Sequence, residues 1–340
     1  VRALVLKDFG RMVVADVPQP QQGAGEVLIK ITAVGICGTD VHGFTGENGR
    51  RQPGQIMGHE AAGTVAATPA DSGLRVGQAV TFNPLITCGA CAPCHDGAEQ
   101  HCADRRVIGV NPEIQAAFAE FVAVPVPNVV PLPDTLPVAH GALIEPLAVA
   151  FNAVRRAGVG AGDGVLVIGA GPIGQSVVLA ARDAGAELIM VSDINAERRD
   201  LCARLGASTL DPTTADTATE YRARAGAAAD VTIDAVGISA TLQAALGATR
   251  PGGTVVLVGM GAKRLEFGAF DLTTMERSLI GSFCYTRADF ARAARWAGSH
   301  AAELAGLVSA ELPFDQAPRA FEQLAGSSPA PGKVLVRADW

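Results

Sequence analysis

Four of the seven cysteines, Cys88, Cys91, Cys94 and Cys102, fall in the short stretch TCGACAPCHDGAEQHC with the spacing C-x2-C-x2-C-x7-C. Four thiolates can close a tetrahedral zinc site, and a closed site is structural because it leaves no position for substrate. Gly89, Pro93 and Gly97 suit a tight loop around such an ion. His95 and His101 each adjoin a cysteine and could replace it as a ligand. A redox pair is a weaker reading, since no C-x-x-C opens an obvious helix. A zinc ribbon would need two C-x-x-C pairs separated by about 15–20 residues, and this cluster is too compact.

A second set of donors is dispersed. GICGTDVH places Cys37, Thr39, Asp40 and His42 at the end of a strand-like run. GHEAAG sets His59 beside Glu60, and LIEPLAV sets Glu145 in an apolar stretch. Thiolate, imidazole and carboxylate together suit zinc, and three protein ligands plus a water make a catalytic arrangement.

A third pattern is Gly169, Gly171 and Gly174, a G-x-G-x-x-G. It follows the apolar run Val165 to Ile168 and opens a helical stretch at Pro172 and Ile173. Gly169 permits the turn, Gly171 lets backbone approach a pyrophosphate, and Gly174 lets helix and strand pack closely. The helix N-terminus offers N–H groups and a positive dipole end to phosphates. Asp193 ends the next strand and can accept from adenosine ribose hydroxyls, which favours NAD over NADP. Arg198 and Arg199 stand close enough to weigh against that preference.

The elements that must hold these residues fall into two textures. Residues 1 to about 150 carry short strand-like runs broken by Gly and Pro, such as EVLIKITAVGI and FAEFVAVP. This pattern predicts a β-rich, barrel-like domain. From Gly164, strand-like and helical runs alternate, which predicts a parallel sheet with helical crossovers. SLIGSFCY, 278–285, would give its last strand. A helix is expected over 289–298, and the strand-like KVLVRAD, 333–339, resembles the first domain more than the second.

Bulk composition sets the frame. The chain has 340 residues, 49% hydrophobic and 18% charged, with net charge -7. That is enough apolar side chain for two domains. Net acidity argues against a nucleic-acid or anionic-membrane partner. No stretch is long and apolar enough to span a membrane, and no signal-peptide pattern opens the chain. A cytoplasmic location follows as the expectation, and reduced thiols there read as metal ligands.

GICGTDVH, GHEAAGTV, the four-cysteine loop, IEPLAVA and GAGPIG stand in the order found in zinc-dependent medium-chain dehydrogenases. The chain resembles that family over essentially its whole length, and most closely its polyol branch of sorbitol, butanediol and threonine dehydrogenases. The resemblance implies an α/β two-domain fold. A GroES-like β-barrel catalytic domain would span 1–151 and 289–340, and a Rossmann doubly wound parallel sheet 152–288, with the active site in the cleft between.

By the same resemblance Cys37 and His59 match catalytic-zinc ligands, and Glu60 and Glu145 match the acidic positions, which of them touches the metal being left open. Cys88, Cys91, Cys94 and Cys102 match the structural-zinc lobe, giving two zinc ions per chain. Thr39 and His42 match a proton relay, Arg198 an adenosine contact, and Val236 and Val258 the nicotinamide lining. Cys202 and Cys284 match no ligand position and are expected in the core.

The implied reaction is hydride transfer from a secondary alcohol, vicinal diol or polyol to NAD, giving the ketone. The alternatives are an NADPH-dependent ketone or ketose reductase and a catalytically silent nucleotide-binding relative. A homotetramer or homodimer is implied, with SLIGSFCY as the suspected interface. Phe44, Phe118 and Tyr285 are expected as walls of the substrate cleft.

Overall fold

The computed structural model describes residues 1–47, 49–326 and 330–338. Contacts divide the chain into two units, Val1–Glu145 with Thr286–Trp340, and Pro146–Tyr285. The first division falls inside the helix Ile144–Ala157 rather than at 151/152, and the second falls at Tyr285/Thr286 rather than at 288/289. Asp339, expected in the last strand, lies outside the described residues.

The first unit is built on a seven-stranded sheet. Its order is Val308–Pro313, Lys333–Arg337, Glu26–Gly35, Glu60–Ala67, Ala79–Phe82 and Val129–Pro131, with Phe121–Pro125 also paired to Glu26–Gly35. Val308–Pro313 and Lys333–Arg337 run parallel, and the other pairs are antiparallel.

Glu26–Gly35 reads EVLIKITAVG and is buried along most of both faces, so it serves as the centre of the sheet. Its neighbour begins at Glu60, in register with Gly35. The core beneath gathers Leu4, Ile29, Val65, Phe82 and Phe118, with Phe321 from the helix Ala317–Ala325. Phe321 meets Phe118 edge-on at 5.5 Å and Phe44 at 5.7 Å, spacings at which aromatic pairs attract beyond simple burial. Phe44 and Phe118, expected as cleft walls, are thus core residues: apolar rings in a well-packed interior gain more than at a wet surface.

The second unit is a six-stranded parallel sheet in the order Ser208–Leu210, Leu188–Ser192, Gly164–Ile168, Ala229–Asp234, Thr249–Leu257 and Ser278–Gly281. Counted along the chain this is 3-2-1-4-5-6, the doubly wound dinucleotide-binding order, with its switch point after Gly164–Ile168. VLVI of that first strand is wholly buried, as a strand covered on both faces must be. Helices Pro172–Asp183, Ala196–Arg204, Thr217–Ala225 and Ser239–Ala248 make the crossovers.

Three features differ from the sequence expectation. A strand, Ser208–Leu210, and a helix, Thr217–Ala225, stand where no element is expected. The segment SATLQAALGATRPGG, 239–253, reads as a helix followed by a turn, but its end lies inside the strand Thr249–Leu257, and the ladder with Ala229–Asp234 shifts register there, which accommodates Pro251. The last strand is only Ser278–Gly281, and Cys284 beyond it is partly exposed with φ 48, whereas Cys202 is fully buried.

Candidate functional site

All the candidate metal donors lie in the first unit and all the candidate dinucleotide residues in the second. Cys37 ends the loop after Glu26–Gly35 and precedes the helix Gly38–Phe44. His59 and Glu60 open the neighbouring strand. Pairing of these two strands therefore brings a thiol, an imidazole and a carboxylate together, and their ligand atoms lie within 4.8 Å of one another. Glu145 is buried at the start of the helix Ile144–Ala157 but is not part of that group.

Around this trio is a buried charged shell. His59 Nδ1 lies 3.4 Å from Asp40 Oδ1, and Arg51 Nη2 donates to the same oxygen at 3.2 Å. Burial opposes a charge on His59, but Asp40, with Cys37, outweighs it and raises the imidazole well above its ordinary value. Asp40 in turn is opposed by burial and held below the usual carboxylate range by His59 and Arg51. A carboxylate behind a histidine orients the ring and increases its basicity as a ligand.

On the other side, Lys333 Nζ donates to Glu60 Oε1 at 2.8 Å and lies 2.7 Å from Oε2. Burial opposes its charge, but Glu60, with Cys37 and Glu145, raises its pKa above the ordinary lysine value. Asp40 stands inside a quoted motif, whereas Arg51 and Lys333 escape sequence reasoning. The one signal for Lys333 is a cation opening the apolar strand KVLVR.

The trio fits a zinc ion on the structure's own terms. Glu60 Oε2 is buried, and apart from its 2.7 Å ionic contact with Lys333 Nζ it accepts no hydrogen bond, so a second lone pair is left for a cation. Gly35, in register with Glu60, leaves the space for that carboxylate, since a Cβ there would collide with Oε2. Cys37 supplies a thiol that donates to the Thr39 hydroxyl at 3.6 Å. His42 is exposed, with Nδ1 3.0 Å from Glu47 Oε2.

The four cysteines form a second group, also within 4.8 Å of one another. Cys91 and Cys94 sulfurs are 3.5 Å apart, and those of Cys88 and Cys102 are 3.6 Å apart. Zn–S bonds of about 2.3 Å in a tetrahedron require sulfurs about 3.8 Å apart, so the cage has the size of a zinc site. The backbone amides of Ala90 and Cys91 lower the Cys88 thiol to about 6. The amide of Cys94 favours a thiolate at Cys91, but burial and its sulfur neighbours outweigh it and push Cys91 up to about 12. A dication removes that mutual opposition, because it deprotonates every coordinating thiol. His95 and His101 are not in the group.

In the second unit Gly171 caps the helix Pro172–Asp183. A Cβ on Gly171 would meet only the Arg198 Nη1, 3.9 Å away, so the turn is open on the side where a phosphate would approach. A Cβ on Gly174 would instead collide with the Gly169 carbonyl. Ile173 and Gly174 lie in the first turn of that helix, whose N–H groups have no intrahelical acceptor. The Asp193 carboxylate accepts from the amides of Ala170 and Asn195, both at 2.7 Å, which ties it to the glycine turn.

Val236 and Val258 follow the adjacent strands Ala229–Asp234 and Thr249–Leu257 and are partly exposed at their ends. Asp234, unanticipated, accepts from the amides of Val236 and Gly237 and from Thr241, and burial raises its pKa. The open glycine turn and the acidic strand end fit a dinucleotide.

This parallel sheet, its glycine turn and a cysteine–histidine–carboxylate trio define a two-domain dehydrogenase. Residues 23–134 match the model of the alcohol dehydrogenase GroES-like domain, and 172–299 that of the zinc-binding dehydrogenase. The chain is 36% identical to L-galactonate-5-dehydrogenase of Escherichia coli K12, over 81% of each chain. It is 34% identical to the probable D-xylulose reductase A of Arthroderma otae, over 95% of this chain and 93% of that one. The structure of 2R,3R-butanediol dehydrogenase from Bacillus subtilis superposes with a TM-score of 0.89 at 28% identity, covering 99% of both. The chain belongs to the zinc-binding, medium-chain alcohol dehydrogenase family, and is an oxidoreductase acting on CH–OH groups.

Proposed function

We propose that the protein oxidises a secondary alcohol of a vicinal diol or polyol to the ketone, with NAD as hydride acceptor and zinc at the trio of Cys37, His59 and Glu60. The observation that carries this reading is the trio itself, three different zinc-type donors gathered in one buried group. The named relatives, which act on sugar acids, ketoses and a diol, support the substrate class.

When bound, zinc supplies Lewis-acid polarisation of the hydroxyl and nicotinamide accepts the hydride. The residues do the rest. Cys37, His59 and Glu60 would hold the catalytic ion, and Glu145, buried outside the trio, would act on the site without ligating. Asp40 holds His59 in orientation, and Lys333 balances the charge of Glu60. Thr39 and His42 would carry the substrate proton away: they sit three positions apart on one helix face, and His42 reaches solvent. Cys88, Cys91, Cys94 and Cys102 would hold the second, structural ion. Gly169, Gly171, Pro172, Ile173 and Gly174 would receive the pyrophosphate, Asp193 and Arg198 the adenosine end, and Val236 and Val258 the nicotinamide.

A homo-oligomer is part of this reading. Ser278–Gly281 is one of the two edge strands of the parallel sheet among the described residues, and Phe267, Phe270, Met275 and Phe283 of the same unit are exposed around it in sequence. No described helix is long and apolar enough to cross a membrane.

The test is reduction of NAD and of NADP by zinc-loaded protein over a panel of sugar acids, sugar alcohols, vicinal diols and simple secondary alcohols. Turnover of one polyol or diol class, abolished by a chelator and restored by zinc, is expected. No turnover across the panel, despite bound zinc and bound dinucleotide, would reject the assigned chemistry.

A further inference from the structure

Whether the dinucleotide carries a 2′-phosphate is decided at the strand ends around Asp193, and the structure adds a residue to that decision. The inference rests on the reading that Asp193 meets the adenosine ribose. Leu188–Ser192 and Ser208–Leu210 are adjacent parallel strands, with Ser192 in register with Leu210. The next residue of each is an aspartate, so Asp193 and Asp211 stand side by side, and the amide of Asp193 donates to the Leu210 carbonyl at 3.3 Å.

Two arginines face them from the helix Ala196–Arg204. Arg198 turns toward the glycine turn, with Nη1 3.9 Å from where a Cβ on Gly171 would lie. Arg199 turns the other way. Its Nη2 donates to Asp211 Oδ2 at 2.8 Å and its Nη1 to the backbone carbonyl of Asp193 at 2.7 Å.

Arg199 is therefore a guanidinium held against the very residue that would read the ribose, yet committed to another carboxylate. Asp211 is itself well anchored: its Oδ1 accepts from the Thr213 amide at 2.9 Å and the Thr213 hydroxyl at 2.6 Å. Those hydrogen bonds, and then Arg199, keep its carboxyl below the usual range, so it stays charged at neutral pH.

We propose that Asp211 is a cofactor-specificity residue that acts at a distance, by holding in an ion pair the Arg199 guanidinium that stands against Asp193 and so withholding its charge from a 2′-phosphate. Asp193 repels that phosphate directly, and Asp211 removes the compensating charge. The preference for NAD is thus set by two aspartates on neighbouring strands. Asp211 itself touches no part of the dinucleotide and is a positioning residue.

The test is calorimetric titration of the full-length, zinc-loaded protein with NADH and with NADPH, which reads binding without turnover. The native chain is expected to favour NADH. Asp211→Asn keeps the acceptor for Thr213 but loses the charge, and should raise the NADPH-to-NADH affinity ratio about tenfold. Asp211→Ser, whose hydroxyl can also accept from the Thr213 amide, should move the ratio the same way and guards against misfolding of the first variant. Adding Arg199→Met to Asp211→Asn should abolish the gain.

A ratio within about twofold of native in both single variants would overturn the proposal, and so would a gain that survives Arg199→Met. A native chain that binds neither reduced dinucleotide overturns the cofactor reading and this proposal with it.

Discussion

Glu60 and Lys333 lie 273 positions apart in the chain and 2.7 Å apart in space, both buried. A buried pair of this kind adds little net stability, but breaking it strands a charge at a cost of about 3–5 kcal/mol. Glu60→Gln keeps the shape and removes the charge. We expect a lower thermal midpoint and a fall from about two zinc ions per chain to about one, the four-cysteine site being retained. Metal analysis of the folded variant checks this, and two ions still bound would remove Glu60 from the ligand set. The candidate donors are legible in the sequence, because thiol, imidazole and carboxylate next to strand ends are distinctive types. Their partners Arg51 and Lys333 are not, because a surface-type residue reveals its burial only when distant strands pair.

At the scale of elements, caps carry information that hydrophobic periodicity does not. The helix Thr217–Ala225 has a weak apolar stripe, and its sequence reads as loop. Yet Asp216 caps its start, accepting from the Thr219 amide at 2.8 Å, and Gly226 ends it in the left-handed conformation. An aspartate before the first turn and a glycine after the last are the signals that could have found it.

Asp216→Ala should cost about 1 kcal/mol of stability at neutral pH. The Thr219 hydroxyl and amide hold the Asp216 carboxyl below its ordinary value of 3.8. Its contribution is therefore full above that value and is lost as pH falls through the lower folded one. Stability curves of native and variant protein should run apart at neutral pH and converge in acid. A constant gap down to the acid limit would mean that the carboxylate is not the capping group.

The strands were legible where they are long and apolar, as at Glu26–Gly35 and Gly164–Ile168. Ser208–Leu210 is too short to show a period, and Pro251 disguises the start of Thr249–Leu257. Register, which sets Asp193 beside Asp211 and Gly35 beside Glu60, is a product of pairing and cannot be read from either strand alone.

At the scale of the whole molecule, the order of the motifs made both units legible, because the GICGTDVH, GHEAAGTV and GAGPIG motifs each sit at an end of an apolar strand. Association is the property least visible in the chain. Phe270 is 79% exposed in the unit that has Ser278–Gly281 as one of its edge strands. Large exposed aromatics near an unpaired strand edge mark an interaction surface. Phe270→Glu should shift the protein to a smaller species in light scattering, with its unfolding temperature less dependent on concentration. An unchanged mass would place the interface elsewhere.

The first unit takes strands from both sides of the second: Glu26–Gly35 pairs with Lys333–Arg337. On a ribosome, the counter-charge of Glu60 emerges 273 residues after Glu60 itself. At about 5–20 residues per second that is a wait of roughly 15–50 s. The intervening dinucleotide-binding unit, local in sequence, can be complete before then. Until then the Glu60 carboxylate lacks its ammonium partner and the strand Glu26–Gly35 lacks its neighbour Lys333–Arg337, so the candidate metal trio is expected to order late. A nascent chain stalled before residue 333 should hold its nucleotide fold and still be unable to retain a catalytic ion.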